Sequence, residues 1–138
     1  MKLIAYCIIM GCSIYSTILT PLSAQQADPL KESKVRGREI YNDFCVSCHL
    51  PNGKGVERIY PPLAKSDFLQ KERIASIKAI KFGQTGRMVV NDVVYNGTMM
   101  PLGLSDDEIA DVMNYITNSW GNKNDKMITK DEVSKIKK

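Results

Sequence analysis

The fold is decided by the stretch Cys45-Val46-Ser47-Cys48-His49, which contains the single histidine of the chain and two of its four cysteines. Two thiols separated by two residues and followed at once by an imidazole form the attachment signature of a c-type haem. The thiols can add to two vinyl groups on one edge of a porphyrin, while His49 lies under the ring and reaches the iron. The sequence therefore predicts one covalently bound haem, attached through Cys45 and Cys48 and ligated by His49.

A redox-active or structural Cys-x-x-Cys with an incidental histidine is the alternative interpretation of this motif. A redox motif of that kind is expected near a βαβ pattern, and a structural zinc site needs a second pair of ligands. The sequence around Cys45 and Cys48 has neither feature.

Length and composition favour a small protein with one domain. The 138 residues suffice for a single core, to which a bound porphyrin would add apolar bulk. The net charge of +4 is too weak to indicate nucleic-acid binding. The chain also lacks a basic run interleaved with aromatic residues and a glycine-rich phosphate loop.

The amino terminus has the layout of a secretory signal peptide over residues 1–24. A lysine at position 2 precedes an apolar run from Leu3 to Leu19, and Ala24 supplies a small residue at the expected cleavage point. A retained membrane anchor and a lipoprotein box at Cys12 are the alternatives. All three interpretations place residues 25–138 outside the cytoplasmic membrane, which predicts a periplasmic protein, anchored to the membrane if the segment is retained or lipidated.

The remainder is predicted to be mainly helical. From Lys34 the apolar residues fall roughly on one helix face and lead the chain to Cys45. A weak helix start at Thr129 predicts one or two helical turns near the carboxy terminus. The expected organisation is a signal peptide (1–24), a flexible lead-in (25–33), a domain (34–121) and a carboxy-terminal tail (122–138).

Two further helices are predicted within the domain. The first covers Lys71–Phe82, with Ile74, Ile77 and Ile80 in a one-sided row and Gly83 as the stop signal. The second begins at a capping box and runs to Trp120 before Gly121. The residues of that second helix that carry the prediction are Ser105 and Glu108 in the box and Ile109, Val112, Met113 and Ile116 in the core stripe.

A small hairpin is predicted between these helices, over Met88–Tyr95, with Asn91-Asp92 at its turn. The following residues, from Asn96 to Pro101, are expected to form a loop.

From Gly37 to Trp120 the chain resembles class I cytochrome c. The element Gly37-x-x-x-Tyr41 is similar to the family's Gly-x-x-x-aromatic, whose partner is an aromatic-aliphatic pair in the last helix, matched here by Tyr115-Ile116. The resemblance implies an all-α cytochrome c fold, with three to four helices around one covalently attached haem and a minimal β-hairpin.

The same resemblance extends to the segment after the haem motif, where the family has Pro-x-Leu and this chain has Pro61-x-Leu63. In the family, the proline carbonyl accepts the proton on the second nitrogen of the ligand imidazole. A bond of this kind fixes the tautomer and strengthens the ligand. The resemblance thus adds Pro61 and Leu63 to the expected haem-binding residues.

The region from Val89 to Asn122 is closer still to a bacterial subgroup of small exported cytochromes and of haem subunits or domains of dehydrogenases and nitrite reductases. The tail of the subgroup also has a Thr-x-x-x-Val element, like Thr129 to Val133. This chain differs in having Asp92 where the subgroup's hairpin usually has glycine.

The second axial ligand is expected to be a methionine, since the chain has no other histidine. Met113 belongs to the core stripe, Met88 to a strand and Met127 to the tail, which leaves Met99 and Met100 in a loop before Pro101. The family pattern places the ligand directly before proline, which selects Met100. A thioether ligand favours ferrous iron and raises the reduction potential.

Two occupied axial positions predict an electron carrier and not an enzyme, with transfer between an exported or membrane dehydrogenase or reductase and a terminal acceptor. The alternatives are a haem sensor or peroxidase with a labile methionine, and a dedicated electron-entry subunit of a larger exported oxidoreductase. A basic segment predicts an acidic redox partner, with an ordinary solvated surface as the alternative interpretation. Its cations are Lys54, Arg58, Lys65, Lys71, Arg73, Lys78, Lys81 and Arg87.

Overall fold

The computed structural model describes residues 28–138 and confirms a mostly helical fold with a small antiparallel hairpin. The predicted signal peptide and the first residues of the lead-in lie outside the described residues. Within the described residues no helix is long and apolar enough to cross a membrane. The elements are α1 (Pro29–Phe44), α2 (Val46–His49), α3 (Asp67–Lys71), α4 (Arg73–Phe82), β1 (Gln84–Val90), β2 (Val93–Met99), α5 (Asp106–Ile116) and α6 (Lys130–Lys135).

Helix α1 begins at Pro29, five residues before the predicted start, so the expectation of a flexible lead-in is wrong for residues 29–33. Asp28 is the N-cap, and its carboxylate accepts hydrogen bonds from the backbone N–H groups of Leu30 and Lys31 at 3.0 and 3.2 Å. Proline is well suited to the first helical position, where its missing N–H has no helical partner. Pro29, in the segment expected to be a flexible lead-in, therefore starts the helix.

Helices α1 and α5 cross at Gly37, in agreement with the predicted close contact. A Cβ atom at Gly37 would overlap the backbone carbonyl of Asp111 and would lie 2.9 Å from the Cβ of Tyr115. One turn later, the ring of Tyr41 packs against that of Tyr115, with their centroids 5.5 Å apart. The glycine inside the helix is therefore required by the approach of the second backbone.

A buried polar network accompanies this crossing. The carboxylate of Asp111 accepts hydrogen bonds from the Ser33 hydroxyl at 2.6 Å and from Arg36 Nε at 2.6 Å. The Asn114 side-chain amide donates to Ser33 Oγ at 2.9 Å and to the carbonyl of Ile128 at 2.8 Å. The backbone N–H of Ile128 returns a bond to Asn114 Oδ1 at 2.8 Å, so the network joins α1, α5 and the carboxy-terminal segment.

The predicted helix over Lys71–Phe82 is confirmed as α4, which begins two residues later at Arg73, and a separate short helix, α3, precedes it. The row of three isoleucines is only partly correct. Ile77 and Ile80 are buried, whereas Ile74 is 60% exposed. A spacing of six residues turns a helix well away from its starting direction, so the first member of the row leaves the buried face. Ser76 occupies the buried face instead.

The hairpin is longer than predicted, because β1 begins at Gln84 and β2 continues to Met99. The expectation of a loop over 96–99 is therefore wrong. Asn91 and Asp92 form the turn with positive φ angles of 50° and 63°, the conformation that this class of two-residue turn demands. Asn91 also exchanges two hydrogen bonds with Asp67, which anchor the turn to α3.

Helix α5 has the predicted capping box, with reciprocal bonds between Ser105 and Glu108, but it ends at Ile116 and not near Trp120. The last backbone carbonyls of the helix accept hydrogen bonds from side chains that follow it. The hydroxyl of Thr117 donates to the carbonyl of Met113 at 2.6 Å, and that of Ser119 donates to the carbonyl of Tyr115 at 2.7 Å. Such local bonds compete with helix propagation, and Trp120 takes a positive φ of 52° in the turn.

The carboxy-terminal segment is part of the core and not a peripheral tail. The predicted short helix is confirmed as α6, and the hydroxyl of its N-cap, Thr129, accepts a hydrogen bond from the N–H of Glu132. Ile128 and Val133 are completely buried, in the same apolar cluster as Tyr41 and Met113. The sequence boundary after residue 121 was therefore placed too early, because the apolar residues of the segment are too few to show a helical period.

An ion pair and a hydrogen bond from a paired lysine hold this segment against the rest of the chain. The guanidinium of Arg73 binds both carboxylate oxygens of Glu132 at 2.6 Å. Lys81 Nζ lies 2.8 Å from Asp106 and 2.8 Å from the carbonyl oxygen of Val133. Both pairs are substantially shielded from solvent, so they link α4 to α5 and α6 more effectively than exposed pairs would.

Replacement of Gly37 by valine tests the helix crossing. We expect Gly37→Val to lower the free energy of unfolding by a few kcal/mol, since a branched side chain would have to displace the Asp111 backbone. The matched control is Glu39→Val, which places the same side chain on the exposed face of α1. Equal denaturation midpoints for the two variants would contradict the close crossing.

The Arg73–Glu132 pair predicts an acid-sensitive carboxy-terminal segment. The guanidinium lowers the pKa of Glu132 below its ordinary value of 4.5, so the pair's stabilisation is present above that pH and is lost as the pH falls through the lowered value. We expect Glu132→Gln to remove about 1–2 kcal/mol at neutral pH and less in acid. Urea titrations across the pH range measure this, with Asp131→Asn in the same helix as the control.

Candidate functional site

The Cys-x-x-Cys-His motif forms a short helix that directly follows α1. Cys45 caps α1, with its N–H bonded to the Tyr41 carbonyl at 2.9 Å, and its own carbonyl accepts bonds from the N–H groups of Cys48 and His49 at 3.2 and 2.9 Å. This single turn brings the two thiols and the imidazole to the wall of one cavity. The structure thus brings together the three residues that the sequence singled out.

The cavity has a volume of about 580 Å³, and its wall is formed by segments from most of the fold. Helices α4 and α5 contribute Ile80, Val112 and Ile116, while one face of the hairpin contributes Met88 and Tyr95, among others. The volume and the mainly apolar wall suit a large apolar cofactor. Of the residues that the resemblance added, Pro61, Leu63 and Met100 all line the same cavity.

His49 is held by a hydrogen bond between its Nδ1 and the carbonyl oxygen of Pro61 at 2.9 Å. A carbonyl oxygen can only accept, so Nδ1 carries the proton and Nε2 keeps its lone pair. Burial lowers the pKa of His49, and the bond to Pro61 opposes that shift. The imidazole is therefore kept neutral and in the tautomer that a metal ion requires at Nε2.

The two motif cysteines are free thiols in the structure. Burial raises the pKa of the Cys45 thiol to about 11, and the neighbouring Cys48 adds to the shift. Redox-active Cys-x-x-Cys motifs depend instead on a thiol whose pKa is lowered to give a nucleophilic thiolate. The environment of Cys45 therefore disfavours the alternative of a thiol–disulfide redox motif.

The loop after the motif is fixed in place by bonds to its own backbone. The carbonyl of Gly53 accepts the N–H groups of Leu63 and Ala64 at 2.7 and 2.8 Å. The side-chain amide of Asn122 donates to the carbonyl of Leu63 at 2.7 Å. Asn122 was not identified as a site residue from the sequence, because nothing in its local pattern indicates a contact with a segment 59 residues away.

A second support lies on the other side of His49. Leu50 has a φ of 64°, which is unfavourable for a residue with a side chain. Its carbonyl accepts the hydroxyl of Tyr41 at 2.7 Å. The Tyr41 ring in turn contacts the rings of Tyr115 and Trp120, with centroids 5.5 and 5.0 Å away. An aromatic cluster between α1 and α5 thereby fixes the backbone next to the imidazole.

The candidate methionine ligands differ in what they contact. Met113 is completely buried in the core, as predicted. Met99 lines the cavity but also packs against the core cluster, whereas Met100 lines the cavity with 68% of its surface exposed. Met88 is on the cavity wall as well, because it lies on the inward face of β1 opposite Tyr95.

The predicted basic segment is not a continuous surface. Arg73 and Lys81 are engaged in the ion pairs with Glu132 and Asp106, so they cannot serve as free charges for a partner. Of the eight cations only Arg58 lines the cavity. The sequence could not show this, because the acidic partners of Arg73 and Lys81 lie outside the basic segment.

Comparison with known proteins agrees with the geometry. The family model for cytochrome c matches residues 35–120. The chain belongs to the cytochrome c family, whose members bind c-type haem covalently and transfer electrons. It is accordingly an electron carrier.

Two kinds of relative illustrate the settings in which such chains occur. Cytochrome c-552 of Thermus thermophilus is 36% identical in an alignment covering 87% of this chain and 81% of the relative. The cytochrome c subunit of a quinone-dependent alcohol dehydrogenase from Gluconacetobacter polyoxogenes is 31% identical over 85% of this chain, which corresponds to 25% of that subunit. Cytochrome c-554(548) of Halomonas halodenitrificans is 41% identical over 51% of this chain.

Proposed function

We propose that the chain carries single electrons through one c-type haem, held in the cavity by thioether bonds to Cys45 and Cys48. The observation that carries the proposal is the meeting of both thiols, the neutral imidazole and a methionine on the wall of one apolar cavity. A haem bound there supplies an iron that alternates between the ferric and ferrous states.

The protein's own contribution is to position ligands and to exclude water. Pro61 orients His49 through the bond at Nδ1, and the Gly53 carbonyl and Asn122 hold the Pro61–Leu63 backbone. The apolar side chains of α4, α5 and the hairpin exclude water from the cavity wall. A low-dielectric surrounding of this kind favours the less charged ferrous state.

Met100 is the proposed second axial ligand. Its side chain lines the cavity and is not packed into the core, whereas Met99 is among the side chains that pack against the core. Pro101 follows directly and restricts the backbone of Met100. A thioether ligand opposite His49 raises the reduction potential, which suits a carrier that accepts electrons from a dehydrogenase.

The proposed setting is the periplasm, between an exported or membrane dehydrogenase or reductase and a terminal acceptor. The alternative of a permanent electron-entry subunit is supported by the similarity to the alcohol dehydrogenase cytochrome subunit. The match to cytochrome c-552 over most of both chains favours a free carrier.

An acidic partner would be attracted by the exposed cations that remain near the cavity. Arg58 is on the cavity wall, and its ion pair with Glu57 is long, at 3.9 Å, and exposed, so it neutralises Arg58 less than the short pairs neutralise Arg73 and Lys81. Lys54 lies in the same exposed loop. Exposed apolar side chains accompany Arg58 on the wall, with Ile59 60% and Phe44 47% exposed. This combination suits a short-lived complex, in which charge steers the encounter and apolar contacts complete it.

Covalent attachment is tested by acid-acetone extraction of the mature protein. We expect the haem to stay with the polypeptide, at one haem per chain by pyridine haemochrome assay. A Cys45→Ala, Cys48→Ala double variant should release its haem, while Ser47→Ala, between the two cysteines, should not. Haem that extracts freely from the unaltered protein would contradict the proposal.

The axial methionine is tested by the weak long-wavelength charge-transfer band of methionine-ligated ferric haem. Met100→Ala should abolish the band and lower the reduction potential, because a soft ligand to ferrous iron is lost. Met99→Ala is the matched control and should keep the band. The reverse pattern would assign the ligand to Met99, and rapid binding of carbon monoxide by the unaltered ferrous protein would favour a sensor.

Attraction of a partner by the exposed cations is tested with a small redox probe of negative charge. Oxidation of the ferrous protein by anionic hexacyanoferrate(III) should slow as salt screens the exposed cations over a Debye length of about 8 Å at physiological ionic strength. Arg58→Glu should reduce the rate at low salt, whereas Lys137→Glu, at the carboxy terminus, should change it less. A rate unaffected by salt and by Arg58→Glu would indicate purely apolar docking.

A further inference from the structure

Ser76 is a buried polar residue on an otherwise largely apolar part of the cavity wall. It lies in the second turn of α4 and is 3% exposed. Ala79 and Ile80, one helical turn later, line the same wall. These positions recur at a spacing of three to four residues, so Ser76 belongs to the face of α4 that is turned to the cavity.

The hydroxyl of Ser76 has no hydrogen-bond partner among the described residues. A serine inside a helix commonly donates to the carbonyl four residues earlier, here that of Glu72. That carbonyl accepts the backbone N–H of Ser76 at 2.8 Å, and among the described residues the hydroxyl makes no hydrogen bond to it. A buried hydroxyl without a partner is costly, and native proteins pair nearly all such groups, so this one calls for an interaction with whatever fills the cavity.

Ser66 provides a contrast within the same cavity. It also lines the wall and is 1% exposed, but its hydroxyl oxygen accepts the N–H of Leu69 at 3.3 Å as the N-cap of α3. The orientation of that hydroxyl is therefore constrained by a structural role. The hydroxyl of Ser76 has no such constraint and is free to rotate.

The carboxyl end of α4 lies against the segment that contains Met99 and Pro101. The helix ends at Gly83, where a Cβ atom would lie 2.8 Å from the carbonyl oxygen of Met99 and 3.0 Å from the ring of Pro101. This close approach fixes the carboxyl end of α4 beside the methionine segment. Ser76 lies on the same helix, about two turns nearer its amino end, and lines the same cavity.

We propose that the Ser76 hydroxyl acts as a rotatable dipole that lowers the reduction potential of the haem. This inference rests on the proposed function. Ferric haem carries one positive charge more than ferrous haem, and a hydroxyl that can turn its oxygen toward that charge stabilises the ferric state preferentially. In an apolar wall the effect is little screened, since the local dielectric constant is far below that of water.

The experiment compares the holoproteins of Ser76→Thr and Ser76→Val by spectroelectrochemical titration. Threonine and valine have nearly the same shape, so both variants add one methyl group to the serine and differ in whether the other branch is a hydroxyl or a methyl. We expect the valine variant to have the higher reduction potential, with the charge-transfer band retained in both. Ser76→Ala, which adds no volume, should likewise have a higher potential than the unaltered protein, and it serves if the larger side chains prevent folding.

Equal potentials for the threonine and valine variants would overturn the inference, and so would a lower potential for valine. The lower value would mean that the hydroxyl donates a bond that favours ferrous iron. Failure of the proposed function is distinguishable, because the unaltered protein would then lack covalently attached haem or its methionine band. Intact haem spectra with unchanged potentials would contradict only the role of Ser76.

Discussion

The approach of the α1 and α5 backbones at Gly37 is the constraint on which the rest of the structure depends. The absence of a side chain lets the Asp111 carbonyl lie against α1, and this distance determines where the end of α1 is held. Because Cys45 follows that end immediately, the crossing also places the motif helix against the cavity. Tyr41 connects the two effects, since its ring packs in the crossing and its hydroxyl binds the backbone after His49.

The cavity is consequently supported by groups that do not line it. Asn122 fixes the Leu63 carbonyl, and Arg73 and Lys81 connect α4 to α5 and to the last helix. These contacts join segments far apart in the chain, so the geometry of the site depends on the whole domain. The position of a haem ligand depends on the surrounding residues that hydrogen-bond to it and support its backbone.

The sequence predicted those features that are encoded in local chemistry. The motif at Cys45–His49, the capping box at Ser105 and the glycine at position 37 each have a physical reason visible within a few residues. The start of α1 was predicted too late because a proline can begin a helix as well as interrupt it. The end of α5 was predicted too late because hydroxyl groups after Ile116 close the helix, although the apolar period continues.

Long-range features were not predictable in the same way. Burial of Ile128 and Val133, and the pairing of Arg73 with Glu132, depend on how distant segments meet. The number of free cations in the basic segment is overestimated from the sequence for this reason. A sum of charges along the sequence cannot show which cations are paired with distant carboxylates. Ser76 was missed because a single serine in a helical pattern has no distinctive signal until the surrounding wall is known.

The burial of Ile128 in a network that includes Ser33 has a consequence for the order of events during synthesis. Ser33 and Asn114 are separated by 81 positions. The side-chain amide of Asn114 also exchanges two hydrogen bonds with the backbone of Ile128. A nascent chain that has exposed its cysteine motif still lacks the segments that close the cavity. Contacts between such distant segments form late, because long loops must be ordered first. In a chain whose distant segments have not yet met, the thiols of Cys45 and Cys48 are therefore more accessible than they are in the cavity wall of the folded domain.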